Sequence, residues 1–291
     1  MFPELLAIDL DGTLLDPRGR ISKSNLRAIH QAHEAGVIVV PCTGRSWIES
    51  RRILKLWPRH DPPHAGVFVT GAAVTDIDTG RSLDVAVIEP RLVRRLVEHL
   101  YDLPEAVLIF RDANETGHDY LVTGRGELTD NTRWWFQSQG ARVHTERRLS
   151  DALCHHVLRV GVVAHHGRVS ELTRQLRSSF GEDEILLHYF AAVQNPDPQR
   201  VIYILEIFAA GVDKWRGLLW LAHQHGIETD RIAVIGDEIN DLAMIENAAC
   251  GIAMANAVDP VRFAADHVTL DNASDGAAHA IEQMLLGNWC A

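Results

Sequence analysis

Both ends of the chain alternate short apolar runs with longer helical patterns, and this alternation narrows the possible folds more than any other feature. The run Leu5–Leu10 is almost wholly apolar on both faces, as a strand buried inside a parallel sheet must be. A helical pattern follows it, and a second run stands at Val37–Val40. Near the C-terminus the same order returns around Ile232–Ile235. Strand–helix–strand order requires right-handed crossovers, so the two ends of the chain together predict an α/β parallel sheet.

The middle of the chain has a different pattern. Strand candidates such as Val107–Phe110 and Leu158–Val163 mix irregularly with helical segments, which predicts an α+β insert with its own sheet. The length of 291 residues also exceeds the usual size of one domain. We therefore predict a Rossmann-like, doubly wound parallel sheet core formed by residues 1–88 and 210–291, with an inserted α+β cap domain at residues 89–209.

Charge and composition exclude several classes of partner. The net charge is −11 and there is no dense run of Lys or Arg, so we expect neither nucleic acid nor an anionic membrane surface as a partner. No stretch approaches the roughly 20 apolar residues of a membrane span, and the N-terminus does not resemble a signal peptide. The cysteines are scattered along the chain without a CxxC pair, at Cys42, Cys154, Cys250 and Cys290. We therefore expect no disulfide framework and a cytoplasmic location.

The first candidate site is the segment Asp9–Thr13 (DLDGT), which follows directly on the apolar part of the first strand. Open α/β sheets bind ligands at the carboxyl ends of their strands, and Asp9 and Asp11 place two carboxylates there. A strand-end DxDG is equally typical of a solvated turn or a calcium-loop fragment, and a glycosyltransferase DxD metal site is a further alternative. The segment alone does not decide between these.

The second candidate site, Cys42-Thr43-Gly44-Arg45, follows the second predicted strand. A hydroxyl beside a glycine offers an O–H and exposed backbone N–H groups, which suit a phosphoryl oxygen. Thr-Gly turns are common, so this signal is weak by itself. The spacing excludes a cysteine-thiolate phosphatase, because that chemistry needs an arginine where Ile48 stands.

The third candidate is Lys214, which follows the predicted N-cap Asp213 in the first turn of a helix. A lysine there opposes the helix macrodipole, so helix stability alone disfavours it. It is either an exposed lysine or one whose ammonium is held near anions.

The fourth candidate is the segment Gly236–Asp241 (GDEIND), which follows the strand run IAVI. Carboxylates from Asp237 and Asp241 are hard oxygen ligands of the kind that magnesium prefers. Taken alone, the segment is also compatible with an ordinary acidic loop.

Together the four motifs resemble those of the haloacid dehalogenase (HAD) superfamily, in the same order and at the same strand and helix ends. The large insert and the form GDxxNDxxM, through Met244, are similar to the Cof-type sugar-phosphatase branch. The later segments Gly251–Ala257 and Asp275-Gly276 match that branch as well. One departure is Thr70-Gly71-Ala72, which stands where the branch commonly has Asn-Gly-Ala.

The resemblance implies a magnesium-dependent phosphatase, a phosphoric monoester hydrolase that acts on a small phosphorylated metabolite. It implies that Asp9 attacks phosphorus and becomes an aspartyl-phosphate, while Asp11 first donates and then accepts a proton. It also implies that Mg²⁺ is bound by the Asp9 carboxylate, the Asp11 backbone carbonyl and Asp237, with Asp241 as a ligand or holding a bound water.

Substrate binding is implied for a further group of residues, all of which would donate to phosphoryl oxygens: Thr43, Gly44 through its N–H, Asn240 and the catalytic Lys214. A phosphomutase with the same aspartyl-phosphate, or a non-catalytic binding protein on the same scaffold, remain alternatives. A glycosyltransferase leaves three of the motifs unexplained. We expect either a monomer or a homodimer.

Overall fold

The computed structural model describes residues 2–58, 64–193 and 202–290. The chain divides into two compact units. Unit 1 comprises Met1–Asp84 and Asp213–Ala291, and unit 2 comprises Val85–Val212. Both ends of the chain therefore contribute to one unit, and the middle of the chain forms the other.

The longest strands of the described residues belong to unit 2. In chain order the strands are β1 (Leu5–Ile8), β2 (Ile38–Pro41), β3 (Ala65–Phe68), β4 (Ala73–Asp76), β5 (Ser82–Val85), β6 (Val107–Arg111), β7 (Tyr120–Thr123), β8 (Val143–Thr145), β9 (Val157–Ala164), β10 (Ile185–Val193), β11 (Ile202–Ala209), β12 (Ile232–Gly236), β13 (Cys250–Ala253) and β14 (His267–Val268).

The helices begin at capping residues that the sequence makes recognisable, such as Ser22 and Asp213, whose side chains accept backbone N–H groups of the first turn. They are α1 (Lys23–Glu34), α2 (Trp47–Leu54), α3 (Pro90–Leu100), α4 (Ala113–Thr116), α5 (Asp130–Gln139), α6 (His166–Ser179), α7 (Lys214–Gln224), α8 (Leu242–Asn247), α9 (Asp259–Ala264) and α10 (Gly276–Leu285).

Unit 1 is built on a parallel sheet with the strand order β14-β13-β12-β1-β2. The residues of β1 and β12 are fully buried, because helices cover both faces of these central strands. From β1 the chain crosses to β2 in one direction, and from β12 it crosses to β13 in the other. Right-handed crossovers in opposite directions place α1 and α8 on opposite faces, so the sheet is doubly wound. The predicted fold class is confirmed.

The order of the strands reverses between β1 and β12, which pair directly with Leu5 beside Ile232 and Ile8 beside Ile235. Such a topological switch point leaves a crevice at the carboxyl ends of the two strands, because their following loops turn away from each other. A second, three-stranded sheet of unit 1 has the order β3-β4-β5.

Unit 2 contains a six-stranded sheet with the order β10-β11-β9-β6-β7-β8. All its pairs are antiparallel except β7 with β8. Helices α3 and α6 bury apolar side chains such as Leu96, Val97 and Leu172 in a core shared with β9 and β11. The middle of the chain is thus an α+β insert, as its irregular sequence pattern predicts.

The bounds differ from the sequence-based expectations mainly in short elements. The sequence pattern of residues 47–57 predicts a helix, but the helix ends at Leu54. The pattern from about Asp241 to Asn247 predicts another, which begins at Leu242 after a single 3-10 turn. Strands β8 and β14 have three and two residues, too few to carry a recognisable period of alternation.

The cysteines depart from expectation. Cys250 and Cys290 form a disulfide across 40 positions of sequence, whereas Cys42 and Cys154 are free and buried. The spacing of the cysteines predicts no disulfide framework, and it does not reveal this bond, because the bond depends on the return of the C-terminal segment to β13. The cysteines therefore give no support for a reducing compartment. In the described parts of the chain no helix is both long and apolar enough to span a bilayer.

Candidate active site

The loops after β1 and β12 bring two of the acidic motifs together. The Asp9 N–H donates to the Ile235 carbonyl (3.0 Å), which aligns the end of β1 with β12. The chain then turns at Gly12, whose φ is 79°. A Cβ at Gly12 would lie 2.1 Å from Asp237 Oδ2, so glycine both suits the positive φ and leaves room for the Asp237 carboxylate. Gly12 is therefore the residue that allows the DLDGT and GDEIND segments to meet.

Lys214 lies between two of the carboxylates. It is the first residue of α7 and is fully buried, and its Nζ donates to Asp9 Oδ1 (2.6 Å) and Asp241 Oδ1 (2.5 Å). Burial opposes its charge, but Asp241 and Asp9 outweigh that effect and raise the pKa of Lys214. The lysine is therefore a permanent cation, and its position at the helix N-terminus is compensated by its two anionic partners.

Three carboxylates converge at this point. One oxygen from each of Asp9, Asp237 and Asp241 lies within 4.8 Å of the others. Burial, and after it the neighbouring Asp241, raises the pKa of Asp237 to about 7. Burial likewise raises the pKa of Asp9 well above its ordinary value, and Lys214 opposes that rise without cancelling it. Three acidic groups share one ammonium, so the cluster carries an excess of negative charge when all three are ionised.

A divalent cation fits this donor set. The set offers only carboxylate oxygens, which are hard ligands that suit magnesium and not the softer transition metals. A dication would balance the charge that Lys214 leaves uncompensated, and it would favour the ionised forms of Asp9 and Asp237. Asp241 is the least available of the three, since its Oδ1 already accepts from Lys214 and its Oδ2 accepts the N–H groups of Asp237 (2.9 Å) and Glu238 (3.0 Å).

The side chain of Asp11 has a different partner from those of Asp9 and Asp241. It is partly exposed and accepts two hydrogen bonds from Arg45, from Nε to Oδ2 and from Nη2 to Oδ1, each 2.5 Å long. Burial works against the charge on Arg45, but the bonds to Asp11 prevail and raise the pKa of the guanidinium. The bidentate pair fixes the plane of the Asp11 carboxylate. Arg45 belongs to the sequence motif that contains Thr43, but the motif does not indicate its pairing with Asp11.

Thr43, Gly44 and Asn240 lie together at the edge of the site. Thr43 is buried, and its hydroxyl accepts the Arg45 N–H (3.2 Å). A Cβ at Gly44 would stand 3.2 Å from Asn240 Nδ2, so the amide approaches the Gly44 backbone closely. The neighbouring Cys42 is buried, which raises the pKa of its thiol, and it is therefore an inert thiol at neutral pH. That agrees with the exclusion of thiolate chemistry from the sequence.

Two residues that the sequence analysis left without a role hold Asp237 in place. The Thr13 hydroxyl donates to Asp237 Oδ1 (2.7 Å), and Asn256 Nδ2 donates to the Gly12 carbonyl (2.8 Å) and lies 3.4 Å from Asp237 Oδ2. Asn256 belongs to the segment GIAMANA (Gly251–Ala257). The resemblance of that segment to a known motif does not indicate that Asn256 contacts Asp237. A polar residue inside an apolar segment that follows a strand is the signal that could have identified it.

Comparisons with known proteins show to which family the chain is related. Residues 6–281 match the sequence model of the haloacid dehalogenase-like hydrolases. The 5-amino-6-(5-phospho-D-ribitylamino)uracil phosphatase YwtE of Bacillus subtilis is 29% identical over 98% of this chain and 99% of its own length. The phosphatase YcsE of the same organism, with the same named substrate, is 28% identical over 97% of this chain and 96% of its own length.

The fold also matches a solved structure. The crystal structure of a haloacid dehalogenase-like hydrolase from Bacteroides thetaiotaomicron superposes with a TM-score of 0.76, at 23% identity over 97% of this chain and 99% of that chain. Identity at this level supports the fold alone. The chain spans nearly the whole length of each of these relatives, so the core and the insert are both part of the shared architecture.

Proposed function

The chain belongs to the haloacid dehalogenase-like hydrolases as a phosphatase of the Cof type, and from its site we propose that it hydrolyses phosphate monoesters of small metabolites through an aspartyl-phosphate on Asp9, with Mg²⁺ as cofactor. One observation carries the proposal. The buried Asp9 carboxylate lies within reach of both a permanent cation, Lys214, and a second metal-type carboxylate, Asp237. A nucleophile, its electrostatic support and a cation site thus coincide at one strand end.

In the first step Asp9 would act as the nucleophile. Lys214 engages Oδ1, so Oδ2 is left to attack phosphorus, and the bond between phosphorus and the leaving oxygen breaks as the acyl phosphate forms. Because its backbone N–H is bonded to β12 and its side chain is bonded to Lys214, Asp9 is held before substrate arrives. Such preorganisation lowers the entropic cost of an in-line attack.

Asp11 would act as the proton carrier. It would donate a proton to the leaving oxygen in the first step and take one from the hydrolytic water in the second. Arg45 stabilises the ionised carboxylate, which is the form that the second step needs. Donation in the first step requires a protonated Asp11, so Arg45 must release at least one of its two hydrogen bonds when substrate binds.

Asp9, Asp237 and the Asp11 backbone carbonyl would hold the magnesium ion, with Asp241 as a ligand or holding a bound water. When bound, the ion would neutralise the repulsion between carboxylate and phosphate dianion and support charge in the transition state. Thr13 and Asn256 orient Asp237 for this task, and Asp241 holds Lys214 and the loop that starts at Asp237.

A third set of groups would bind the phosphoryl oxygens. The hydroxyl of Thr43, the N–H of Gly44, the Asn240 amide and the Lys214 ammonium are all donors, and they surround the same strand ends. Donors that are fixed before the reaction stabilise developing negative charge without a cost of reorganisation.

The test is phosphate release by the purified protein from p-nitrophenyl phosphate and a panel of phosphorylated metabolites, with MgCl₂ and with EDTA. We expect turnover with magnesium and loss of turnover with EDTA. Asp9→Asn should abolish turnover while retaining the fold. The control Asp16→Asn, at a partly exposed carboxylate that pairs with Arg20, should keep its turnover.

Full activity in Asp9→Asn protein would refute the assignment of the nucleophile. Transfer of the phosphoryl group between positions of a sugar bisphosphate, without release of phosphate, would instead identify a phosphomutase.

A further inference from the structure

A strained segment lies beside the proposed phosphate site. Val69 and Thr70 have φ values of 53° and 55°, and Gly71 follows with a φ of 90°. Residues with a β-branched side chain adopt the left-handed region rarely, because their Cβ substituents collide with the backbone there. Two of them in succession mark a segment whose conformation the surrounding structure must enforce.

Hydrogen bonds tie this segment to the loop that contains Thr43. The Val69 N–H donates to the Arg45 carbonyl (2.9 Å), and the Thr70 N–H donates to the Thr43 carbonyl (3.2 Å). Their acceptors, the carbonyls of Arg45 and Thr43, belong to the residues on either side of Gly44. The strain is thus balanced by contacts that hold Thr70 against the loop of the proposed phosphate donors.

The other end of the segment packs against the start of α7. A Cβ at Gly71 would lie 1.7 Å from the Asp213 carbonyl oxygen, and Arg216 Nη1 donates to the Gly71 carbonyl (3.3 Å). Thr70 therefore stands between the loop of Thr43 and the helix that begins with Lys214. Its position is determined by both parts of the site.

The Thr70 hydroxyl is buried and has no hydrogen-bond partner among the described residues. It lies 3.4 Å from the point where a Cβ of Gly44 would stand, and Asn240 Nδ2 lies 3.2 Å from the same point. Buried hydroxyls nearly always have a partner, which is a protein group, a water or a ligand. The side of Gly44 that lacks a Cβ is thus flanked by two donors.

We propose that Thr70 Oγ1 is a further phosphate-binding group, which donates its O–H to a phosphoryl oxygen held beside the Gly44 N–H. This inference rests on the proposed phosphatase function. Asparagine adopts the left-handed region more readily than threonine, so backbone preference does not favour Thr70 at this position. A short hydroxyl donor beside Gly44 gives threonine a role that offsets the strain.

The experiment compares hydroxyl-deleting and hydroxyl-keeping variants at one position. Thr70→Val keeps the shape and the strain but removes the donor, and Thr70→Ser keeps the donor. With p-nitrophenyl phosphate and MgCl₂ we expect Thr70→Val to lose on the order of 30-fold in kcat/KM, the size of one hydrogen bond to a charged group, and Thr70→Ser to stay within about fivefold of the wild type. Inhibition by orthovanadate with magnesium should weaken in parallel in Thr70→Val.

A stability measurement separates this role from a structural one. Thr70→Val should melt no lower than the wild type, because it removes a buried hydroxyl that has no protein partner. A glycine at position 70 adopts the same backbone conformation without strain, so Thr70→Gly should show the same loss of activity. This second variant keeps the test decisive if Thr70→Val folds poorly. Thr75→Val is the matched control, because Thr75 is a buried threonine of β4 opposite Gly66, and its kcat/KM should stay within about twofold of the wild type.

The outcomes separate the two proposals. If the wild type turns over and both Thr70→Val and Thr70→Gly match it, the hydroxyl binds only water and this inference is overturned alone. If the wild type itself does not turn over with magnesium, the proposed function fails and this inference fails with it.

Discussion

Replacing Lys214 with methionine should destabilise unit 1 by about 4 kcal/mol at neutral pH in the absence of metal. The ammonium makes two charge-assisted hydrogen bonds, to Asp9 Oδ1 at 2.6 Å and to Asp241 Oδ1 at 2.5 Å. Each such bond contributes about 1.5–3 kcal/mol, and removing one partner of a buried ion pair costs about 3–5 kcal/mol. Solvent does not screen these contacts, because the lysine and Asp241 are fully buried. Methionine preserves the unbranched stem, so the loss reports the charge and not a cavity.

The assay is urea unfolding followed by tryptophan fluorescence, to which Trp215 and Trp220 of α7 contribute from within unit 1. The double variant Lys214→Met/Asp241→Asn should recover about 2 kcal/mol of the loss, since it removes one of the carboxylates that the single variant leaves unpaired. Lys55→Met, at an exposed lysine, is the control and should change stability by no more than about 0.5 kcal/mol. A loss below about 1 kcal/mol in Lys214→Met, or no recovery in the double variant, would refute the account of Lys214 as the cation that holds the site together.

Two further predictions concern the metal site and the disulfide. The pKa of Asp237 is raised from 3.8 to about 7 in the metal-free folded protein, so the folded state binds this proton more tightly than the unfolded chain does. Protonation of Asp237 therefore stabilises the folded state, and this stabilisation is lost as the pH rises from 3.8 to about 7. Magnesium competes with the proton, so MgCl₂ should raise the melting temperature more at about pH 8 than at about pH 5.5, and Asp237→Asn should abolish that difference; an equal rise at both pH values would count against a metal at Asp237. Reducing the disulfide between Cys250 and Cys290, or replacing Cys290 with serine, should lower the free energy of unfolding by about 2–4 kcal/mol, because the bond closes a loop across 40 positions; unchanged melting under dithiothreitol would contradict this.

The family and the elements of the core follow from local sequence. The run LLAI predicts a buried strand, and Ser22 and Asp213 mark helix starts, because these signals depend on residues a few positions apart. Parallel strands align their carboxyl ends, so motifs placed after β1 and β12 had to share one edge of the sheet. The predicted fold class, the haloacid dehalogenase resemblance and the phosphatase class are confirmed, whereas the roles of the individual site residues stay predictions.

The tertiary structure alone decided which side chains meet. Lys214 lies 205 positions from Asp9, and its contact depends on how α7 packs after the insert. The pairing of Arg45 with Asp11, the disulfide, and the left-handed conformation of Thr70 are likewise absent from any local pattern. Hydrophobic periodicity specifies which face of an element is buried, but the distances between polar atoms at the ends of elements are set by loop conformation and long-range packing.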